Sequence, residues 1–211
     1  SSVRWKPVTM RQVTGNNGNR SDKAVSIQLM LDGHSFSVDA LPAAGKEVPC
    51  VAELLTPRSM LVPREEFSEE LAEGYLAAEG LAPQDGECVV WSDTQEQIVA
   101  VMAIDRMLLD ALRAKYEAGV RFTSPLLHLP KFSGNAVWMQ RNGSLLYVKV
   151  YRTILRMAEV IQVESDADVL YFVERLTGIF PAADFELHLT GADSAALRKL
   201  LKGYYKRIVC E

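Results

Sequence analysis

Residues 136–151 read AVWMQRNGSLLYVKVY, and this stretch decides the fold of the second half of the chain. Two strand-like runs flank the dipeptide Asn142-Gly143. Asn-Gly favours the tight turns that join antiparallel strands because both residues tolerate a positive φ. Apolar residues at every second position predict one apolar face on a β-hairpin. In the second run these residues are Leu146, Val148 and Val150.

The sequence after this hairpin predicts one more strand, at residues 153–163, and then alternating helices and strands. Ser165 is a favoured residue at a helix N-terminus, so a helix is predicted to begin there. Strands are predicted at 185–189 and 207–210, separated by a helix that Asp193 or Ser194 caps. The apolar stripes of the two helices are Val169, Phe172, Val173 and Leu176, and Leu197, Leu200 and Leu201. The predicted order is βββαβαβ.

A similar pattern occupies the first half of the chain. Two strand-like runs, 24–31 and 35–40, flank Asp32-Gly33, another dipeptide typical of hairpins. The next predicted elements are a strand ending at 60–62, a helix, a strand pair, a helix capped by Asp105 and a final strand. The pair lies at 88–91 and 98–104, and the final strand at 120–122. The helical stripes are Phe67, Leu71, Tyr75 and Leu76, and Leu108, Ala111, Leu112 and Tyr116. The order matches that of the second half, with one extra strand.

This recurrence predicts a duplicated α/β fold with two lobes. We expect a basic arm at 1–23, a first lobe at 24–124 and a second lobe at 135–211. The stretch 125–134 contains two prolines and a glycine, and it is predicted to connect the lobes.

Composition narrows the functional classes. The 211 residues are 48% hydrophobic and 24% charged, which is typical of a folded globular protein. The net charge of −4 gives no overall positive field to concentrate nucleic acid. The arm carries five basic residues and one acidic residue, but the flexible polar run 15–19 interrupts it. We therefore expect no nucleic-acid partner, and binding through the arm stays a third hypothesis. Val3, Trp5 and Val8 also allow part of the arm to pair as an edge strand.

Cysteine usage and hydropathy predict a cytoplasmic protein without a membrane span. Cys50, Cys88 and Cys210 form no CxxC pair, so we expect buried thiols in a reducing compartment. The uncharged apolar run 98–104 is far shorter than the about 20 residues of a membrane-spanning helix.

The duplicated βββαβαβ plan with glycine-containing hairpin turns resembles the actin-like ATPase superfamily, whose lobes are ribonuclease H-like. The segment 29–38, LMLDGHSFSV, resembles an uncharacterised bacterial family with this fold. Relatives of that family include cytoplasmic actin-like domains of type II secretion and type IV pilus assembly proteins.

The resemblance implies an Asp-x-Gly pattern at each hairpin, in which aspartates arrange magnesium and water while turn amides grip phosphates. The matching positions here are Leu31 with Gly33, and Arg141 with Gly143, so both acids are absent. We expect no catalytic residue, no metal and no cofactor, and ATP with magnesium is not favoured. If a nucleotide does bind, the resemblance places it at Asp32, Gly33, His34, Asn142, Gly143, Ser144 and Gly191.

Other chemistry has little support in the sequence. No GxxxxGK[ST] run is present, so a P-loop is excluded. His34, His128 and His188 are widely spaced, and His188 is predicted on an outward polar face. Tyr204 or Tyr205 is predicted to pack against the sheet rather than to stack on a nucleic-acid base.

These observations lead to two main hypotheses. The first is a non-catalytic actin-like protein that acts as an interaction or assembly module for a protein partner. The alternative is a divergent ATP-binding ATPase or small-molecule kinase that has its active site in the interlobe cleft and uses Asp32 with the turn amides of Gly33 and Gly143.

Overall fold

A computed structural model describes residues 24–31 and 41–211. These residues divide into two compact units. Unit 1 contains the described residues up to Thr56 together with Val62–Ser124, and unit 2 contains Pro57–Leu61 together with Pro125–Glu211. The predicted arm at 1–23 and the predicted strand at 35–40 lie outside the described residues.

One sheet of unit 1 consists of three parallel strands. β1 (Val25–Met30) pairs with β2 (Cys50–Leu55), and β2 pairs with β6 (Val120–Thr123). Ala52 of β2 lies between Ile27 of β1 and Phe122 of β6, and all three side chains are buried. Cross-strand apolar contacts of this kind stabilise the sheet.

The position of β2 corrects the meander predicted for the first half. Sequence patterning did not identify β2 as a strand, and here it is the central strand of a parallel sheet. A charged residue, Glu53, lies inside the run and obscures its apolar pattern. Its carboxylate accepts a hydrogen bond from Gln28 Nε2 at 2.6 Å, and burial raises its pKa. The side chains of Cys50, Ala52 and Leu54 are fully buried.

The helix predicted from Phe67 to Leu76 begins later than expected. β3 (Ser59–Pro63) is followed by two short 3₁₀ turns, and α1 spans Ala72–Ala78. The Phe67 ring packs against Trp91 at 5.8 Å between centroids, and its backbone is extended. Tyr75 Oη accepts from Ser68 N and donates to Glu66 O. These contacts keep the segment before Ala72 out of the helix.

The rest of unit 1 follows the prediction. β4 (Glu87–Trp91) and β5 (Ile98–Asp105) are antiparallel. α2 (Arg106–Lys115) begins at the predicted cap, where Asp105 Oδ1 accepts from Leu108 N at 3.0 Å. Three residues of its predicted apolar stripe are buried, and they are Leu108, Leu112 and Tyr116.

Unit 2 has the predicted βββαβαβ order, and its five strands form one sheet. The sheet order is β11-β10-β7-β8-β9. β7, β10 and β11 are mutually parallel, and β8 runs antiparallel to both β7 and β9. The elements are β7 (Asn135–Asn142), β8 (Leu145–Arg152), β9 (Ile154–Gln162), α3 (Asp166–Ile179), β10 (Glu186–Thr190), α4 (Ser194–Leu201) and β11 (Ile208–Cys210).

The hairpin turn lies one residue later than predicted. Asn142 pairs with Leu145 in the ladder, so the two-residue turn is Gly143-Ser144 rather than Asn142-Gly143. Gly143 has a φ of 60°, and Gly at the first turn position is typical of a type II′ turn. One additional cross-strand pair is therefore formed at the end of the hairpin.

The core of unit 2 lies between the sheet and the two helices. Every second residue of β7 and β8 points to this side, as the hairpin pattern predicts. The buried sheet residues are Val137, Met139, Leu146, Val148 and Val150, and the buried helix residues are Val169, Val173, Leu176, Leu197 and Leu201. Phe172 and Leu200 pack at the margin of this cluster.

Three further observations bear on the sequence predictions. None of the helices in residues 24–31 and 41–211 is long and apolar enough to span a membrane. Cys50 is buried as expected, but Cys88 is partly exposed and Cys210 is exposed, which corrects the prediction of three buried thiols. Tyr205 is buried in the core of unit 2 whereas Tyr204 is exposed, which confirms the prediction that one of the two packs against the sheet.

Candidate functional site

The predicted site residues of unit 2 meet at the ends of two parallel strands. β7 ends in Asn142 and leads into Gly143 and Ser144, while β10 ends at Thr190 and leads into Gly191. β7 and β10 are neighbours in the sheet, so their carboxyl ends share one edge. We call this group the turn site. Of the remaining predicted residues, 32–34 lie outside the described part of the chain.

Gln140 joins the two halves of the turn site. Its Nε2 donates to Asn142 Oδ1 at 3.0 Å, and its Oε1 accepts from Thr190 Oγ1 at 2.7 Å. Trp138 Nε1 donates in turn to Thr190 Oγ1 at 3.0 Å. Gly191 has a φ of 86°, and a Cβ there would lie 3.0 Å from Gln140 Cγ. Gly191 can therefore lie this close to the Gln140 side chain only because glycine has no side chain of its own.

Sequence reasoning missed Gln140 and Thr190. Both occupy the face of the sheet opposite the helices, where polar residues normally indicate exposure to solvent. Thr190 is buried, and the hydrogen bonds from Trp138 to Asn142 form a continuous chain. Buried polar groups need such partners, so this chain fixes the geometry of the turn site.

Arg141 occupies the position at which the resemblance calls for an aspartate. Its Nη1 lies 2.7 Å from Asp166 Oδ1, and its Nε donates to Gly143 O at 3.2 Å. The Arg141 side chain is 18% exposed, whereas that of Asp166 is 70% exposed. Arg141 therefore ties the hairpin turn to the first turn of α3.

The N-terminus of α3 already has its own acceptor groups. Ser165 and Asp168 form a reciprocal capping box. Asp168 Oδ2 accepts from Glu164 N at 2.9 Å and from Ser165 N at 2.8 Å. These hydrogen bonds lower the pKa of Asp168. The predicted cap of this helix at Ser165 is confirmed.

Asp193 precedes α4, but its side chain makes no capping hydrogen bond, which corrects the expected role of this carboxylate. Asp193 instead lines a cavity of about 130 Å³ with Arg141, Asp166 and Leu197. Ligand pockets for molecules the size of a nucleotide measure roughly 300–1,000 Å³. The cavity therefore holds only a small group.

The described residues of this turn present a cation at the position where the resemblance calls for an acid. Magnesium takes oxygen ligands. The described turn instead offers the guanidinium of Arg141, and the carboxylate of Asp166 is already paired with that guanidinium. Within residues 24–31 and 41–211, no three His, Cys, Asp or Glu side chains are arranged to hold a metal ion.

A second polar cluster lies on the opposite face of the sheet from the helices. His188 of β10 is only 1% exposed, which corrects its predicted outward position. Its Nδ1 lies 3.0 Å from Glu211 Oε1, and its Nε2 lies 3.2 Å from Glu186 Oε1. Glu211 Oε2 also contacts His128 Nε2 at 3.2 Å. Burial opposes ionisation of Glu211, but its hydrogen bonds, first that of His188, lower its pKa.

Lys149 belongs to the same cluster and is as deeply buried as His188, with 1% of its surface exposed. Its Nζ donates to the carbonyl oxygen of His128. The same Nζ lies 4.9 Å from the Trp138 ring centroid and 5.5 Å from that of Tyr151. Burial lowers the pKa of Lys149 to about 7. The segment at 125–134 therefore lies over this face and shields it from water.

Comparison with solved structures identifies the fold. The chain is similar to the crystal structure of a Bacteroides thetaiotaomicron protein of unknown function with an actin-like ATPase fold, with a TM-score of 0.64 and 19% identity. The similarity covers 80% of this chain and 69% of that one. The chain has the actin-like ATPase fold. The fold class inferred from the duplicated pattern is thus confirmed.

A weaker similarity connects the chain with the cytoplasmic domain of EpsL, an inner membrane component of the type II secretion system of Vibrio cholerae. The TM-score is 0.41 at 16% identity, with 78% of this chain and 80% of that one covered. No protein-family model matches the chain, and a search of curated proteins finds no match.

Proposed function

We propose that this protein is a non-catalytic actin-like protein that acts as an interaction or assembly module for a protein partner. The observation that supports the proposal is Arg141, whose guanidinium occupies the predicted acid position and contacts both Asp166 and Gly143. An arginine in this place supplies positive charge where the fold would need a ligand for a cation.

Electrostatics argues against magnesium at the turn. Two unit charges of the same sign about 4 Å apart repel by roughly 4 kcal/mol at an effective dielectric constant of 20. The repulsion between a guanidinium and a divalent ion at that distance is twice as large. The carboxylate of Asp166 lies 2.7 Å from Arg141 Nη1 and is already paired with that guanidinium.

Arginine can bind phosphate in principle, but two donors of Arg141 are already used. Nη1 contacts Asp166 and Nε donates to Gly143 O. Three of its five N–H donors remain, but a phosphate that took them would meet the negative charge of the nearby Asp166 carboxylate. We therefore propose that the turn site keeps its internal ion pair and does not act as a nucleotide site.

The compartment is part of the same proposal. The three cysteines of the chain are free thiols, and free thiols are typical of reducing compartments. We propose that the protein works with its partner in the cytoplasm.

An ATPase assay with matched variants tests the proposal against the alternative enzyme. We expect no magnesium-dependent ATP turnover by the full chain, and no difference between Asp32→Ala and the control Asp39→Ala. Turnover that Asp32→Ala abolishes and Asp39→Ala preserves would reject the non-catalytic role. The assay is paired with circular dichroism, so that loss of folding is not mistaken for loss of chemistry.

A further inference from the structure

Positive charge is concentrated at the end of α4 and in the turn that follows it. Residues 194–210 contain five basic residues and no acidic residue, although the chain as a whole is net negative. All five basic residues are exposed. We call them the basic patch, and they are Arg198, Lys199, Lys202, Lys206 and Arg207.

α4 presents the first half of the basic patch on its outer face. Leu197 and Leu201 of this helix are buried in the core of unit 2. Residues three and four apart lie on the same side of a helix. Arg198, Lys199 and Lys202 therefore project together from the side opposite the core.

The second half of the basic patch is held close to the end of α4. Tyr204 N and Tyr205 N both donate to Leu201 O, at 2.9 and 3.2 Å. Tyr205 is buried in the core, whereas Tyr204 is 36% exposed. The buried ring fixes this turn to unit 2, so the exposed Tyr204 and Lys206 lie beside the cations of the helix.

Acidic side chains leave most of this charge uncompensated. Apart from Arg207, the members of the basic patch form no ion pair with any other residue that the structure describes. Arg207 Nη1 lies 3.9 Å from Glu186 Oε2, and the Arg207 side chain is 74% exposed. The carboxylate of Glu211, the next acid along the chain, contacts two histidines instead.

Helix stability accounts for only part of the basic patch. Cations in the last turn of a helix interact favourably with its macrodipole, and Arg198 and Lys199 occupy the last turn of α4. This interaction falls off beyond the last turn. It therefore gives no reason for the exposed cations at Lys206 and Arg207.

We propose that the basic patch docks on the surface of an anionic phospholipid bilayer. Clusters of about four to eight Lys and Arg residues on an amphipathic helix are typical of such contacts. Salt screens charges that lie more than about 8 Å away at physiological ionic strength. The local charge of the basic patch therefore decides the contact, and the net negative charge of the whole chain does not prevent it.

The composition of the basic patch favours a bilayer over nucleic acid. Three of its five cations are lysines, which are flexible point charges rather than the rigid fork of arginine. Sites for single-stranded nucleic acid stack successive bases on several aromatic rings, whereas Tyr204 is the one exposed aromatic residue in 194–210. Tyrosine is typical of membrane interfaces. This inference goes beyond the proposed function and does not depend on the turn site.

Flotation of the full chain with vesicles of phosphatidylcholine and about 30% phosphatidylserine tests the proposal at about 0.15 M salt. Each Lys or Arg near an anionic surface strengthens binding about fivefold, so we expect an apparent Kd of roughly 0.1–1 mM accessible lipid. The triple variant Lys199→Gln/Lys202→Gln/Lys206→Gln should bind roughly 100-fold more weakly. Vesicles of phosphatidylcholine alone should not bind the chain.

A second triple variant controls for net charge. Arg4→Gln/Lys6→Gln/Arg11→Gln removes the same charge from the basic arm, and it should keep the affinity of the wild type. Circular dichroism on both variants checks that the fold is retained.

Three results would overturn the proposal. The first is a full chain that does not float with the anionic vesicles, or floats equally well after the change at 199, 202 and 206. The second is an equal loss of binding in both triple variants, since net charge would then explain it. The third is a basic patch that binds a single-stranded oligonucleotide or a polyglutamate peptide more tightly than the vesicles, which would assign it to nucleic acid or to an acidic protein segment.

Discussion

Replacing Lys149 by methionine should stabilise the protein near neutral pH and lose that advantage in alkaline solution. Lys149 is buried, and its Nζ has the His128 carbonyl oxygen and two aromatic rings as neighbours. Methionine has a similar length and brings no charge into this site. Replacing a buried charge by a well-packed apolar group is often stabilising.

The magnitude follows from the pKa of Lys149, which burial lowers from 10.5 to about 7. Each pKa unit corresponds to about 1.4 kcal/mol, so the full effect is about 5 kcal/mol. The folded-state pKa lies below the unfolded one, so between pH 7 and pH 10.5 the unfolded chain holds a proton that the folded chain lacks. The stability of the wild type therefore rises with pH in this range. From pH 7 to pH 9.5 the rise due to Lys149 is about 3 kcal/mol.

Urea denaturation at pH 7 and pH 9.5 measures this effect. The loss of the hydrogen bond to His128 costs about 1–3 kcal/mol at both pH values, so it cancels when the two are compared. Between pH 7 and pH 9.5, the free energy of unfolding of the wild type should rise by about 3 kcal/mol more than that of Lys149→Met. The control Lys199→Met, at an exposed position, should show no such shift. A difference that is equal at both pH values would refute the reasoning.

Two further predictions concern backbone geometry and helix capping in unit 2. Gly191→Ala should destabilise the protein by about 1–3 kcal/mol in thermal or urea unfolding, because its φ is 86° and the new Cβ would lie 3.0 Å from Gln140 Cγ. Gly178→Ala should instead be neutral or stabilising by up to about 1 kcal/mol, since no atom lies within 4 Å of the position its Cβ would take. Equal changes in the free energy of unfolding at the two glycines would contradict this account. Ser165→Ala should cost about 1 kcal/mol through loss of the capping box with Asp168, and an unchanged free energy of unfolding would show that the cap contributes nothing.

Much of unit 2 could be predicted because its patterns are local. The hairpin at 136–151 has a two-residue period, and the helix after Ser165 combines a cap with an apolar stripe. The turn was misplaced by one residue because Asn142-Gly143 and Gly143-Ser144 both allow a tight turn. Only the pairing of Asn142 with Leu145 distinguishes them, and that pairing depends on the whole ladder.

The polar face of the same sheet could not be predicted. Lys149 and His188 alternate with apolar residues, a pattern typical of a sheet with one side in water. The structure covers this face with the segment at 125–134, which the sequence identifies only as a proline-containing connection. Burial here depends on a long-range contact, between Lys149 and His128, that has no local signal.

The errors in unit 1 have a similar origin. The apolar spacing of Phe67 and Leu71 fits a helix, but the Phe67 ring packs against Trp91, and Leu71 is 58% exposed. Tertiary packing overrides local periodicity at this position. β2 was missed because Glu53 interrupts its apolar run, and its partner Gln28 lies 25 residues earlier.

The most direct test of the central claim observes Arg141 itself. The ¹H–¹⁵N resonance of Arg141 Nε reports on its hydrogen bond to Gly143 O and on its ion pair with Asp166. We predict that this resonance and the amide resonance of Gly143 stay unchanged when the full chain is titrated with ATP and magnesium to millimolar concentration. A saturable shift of both resonances, dependent on magnesium, would show that the turn site binds nucleotide and would contradict the account.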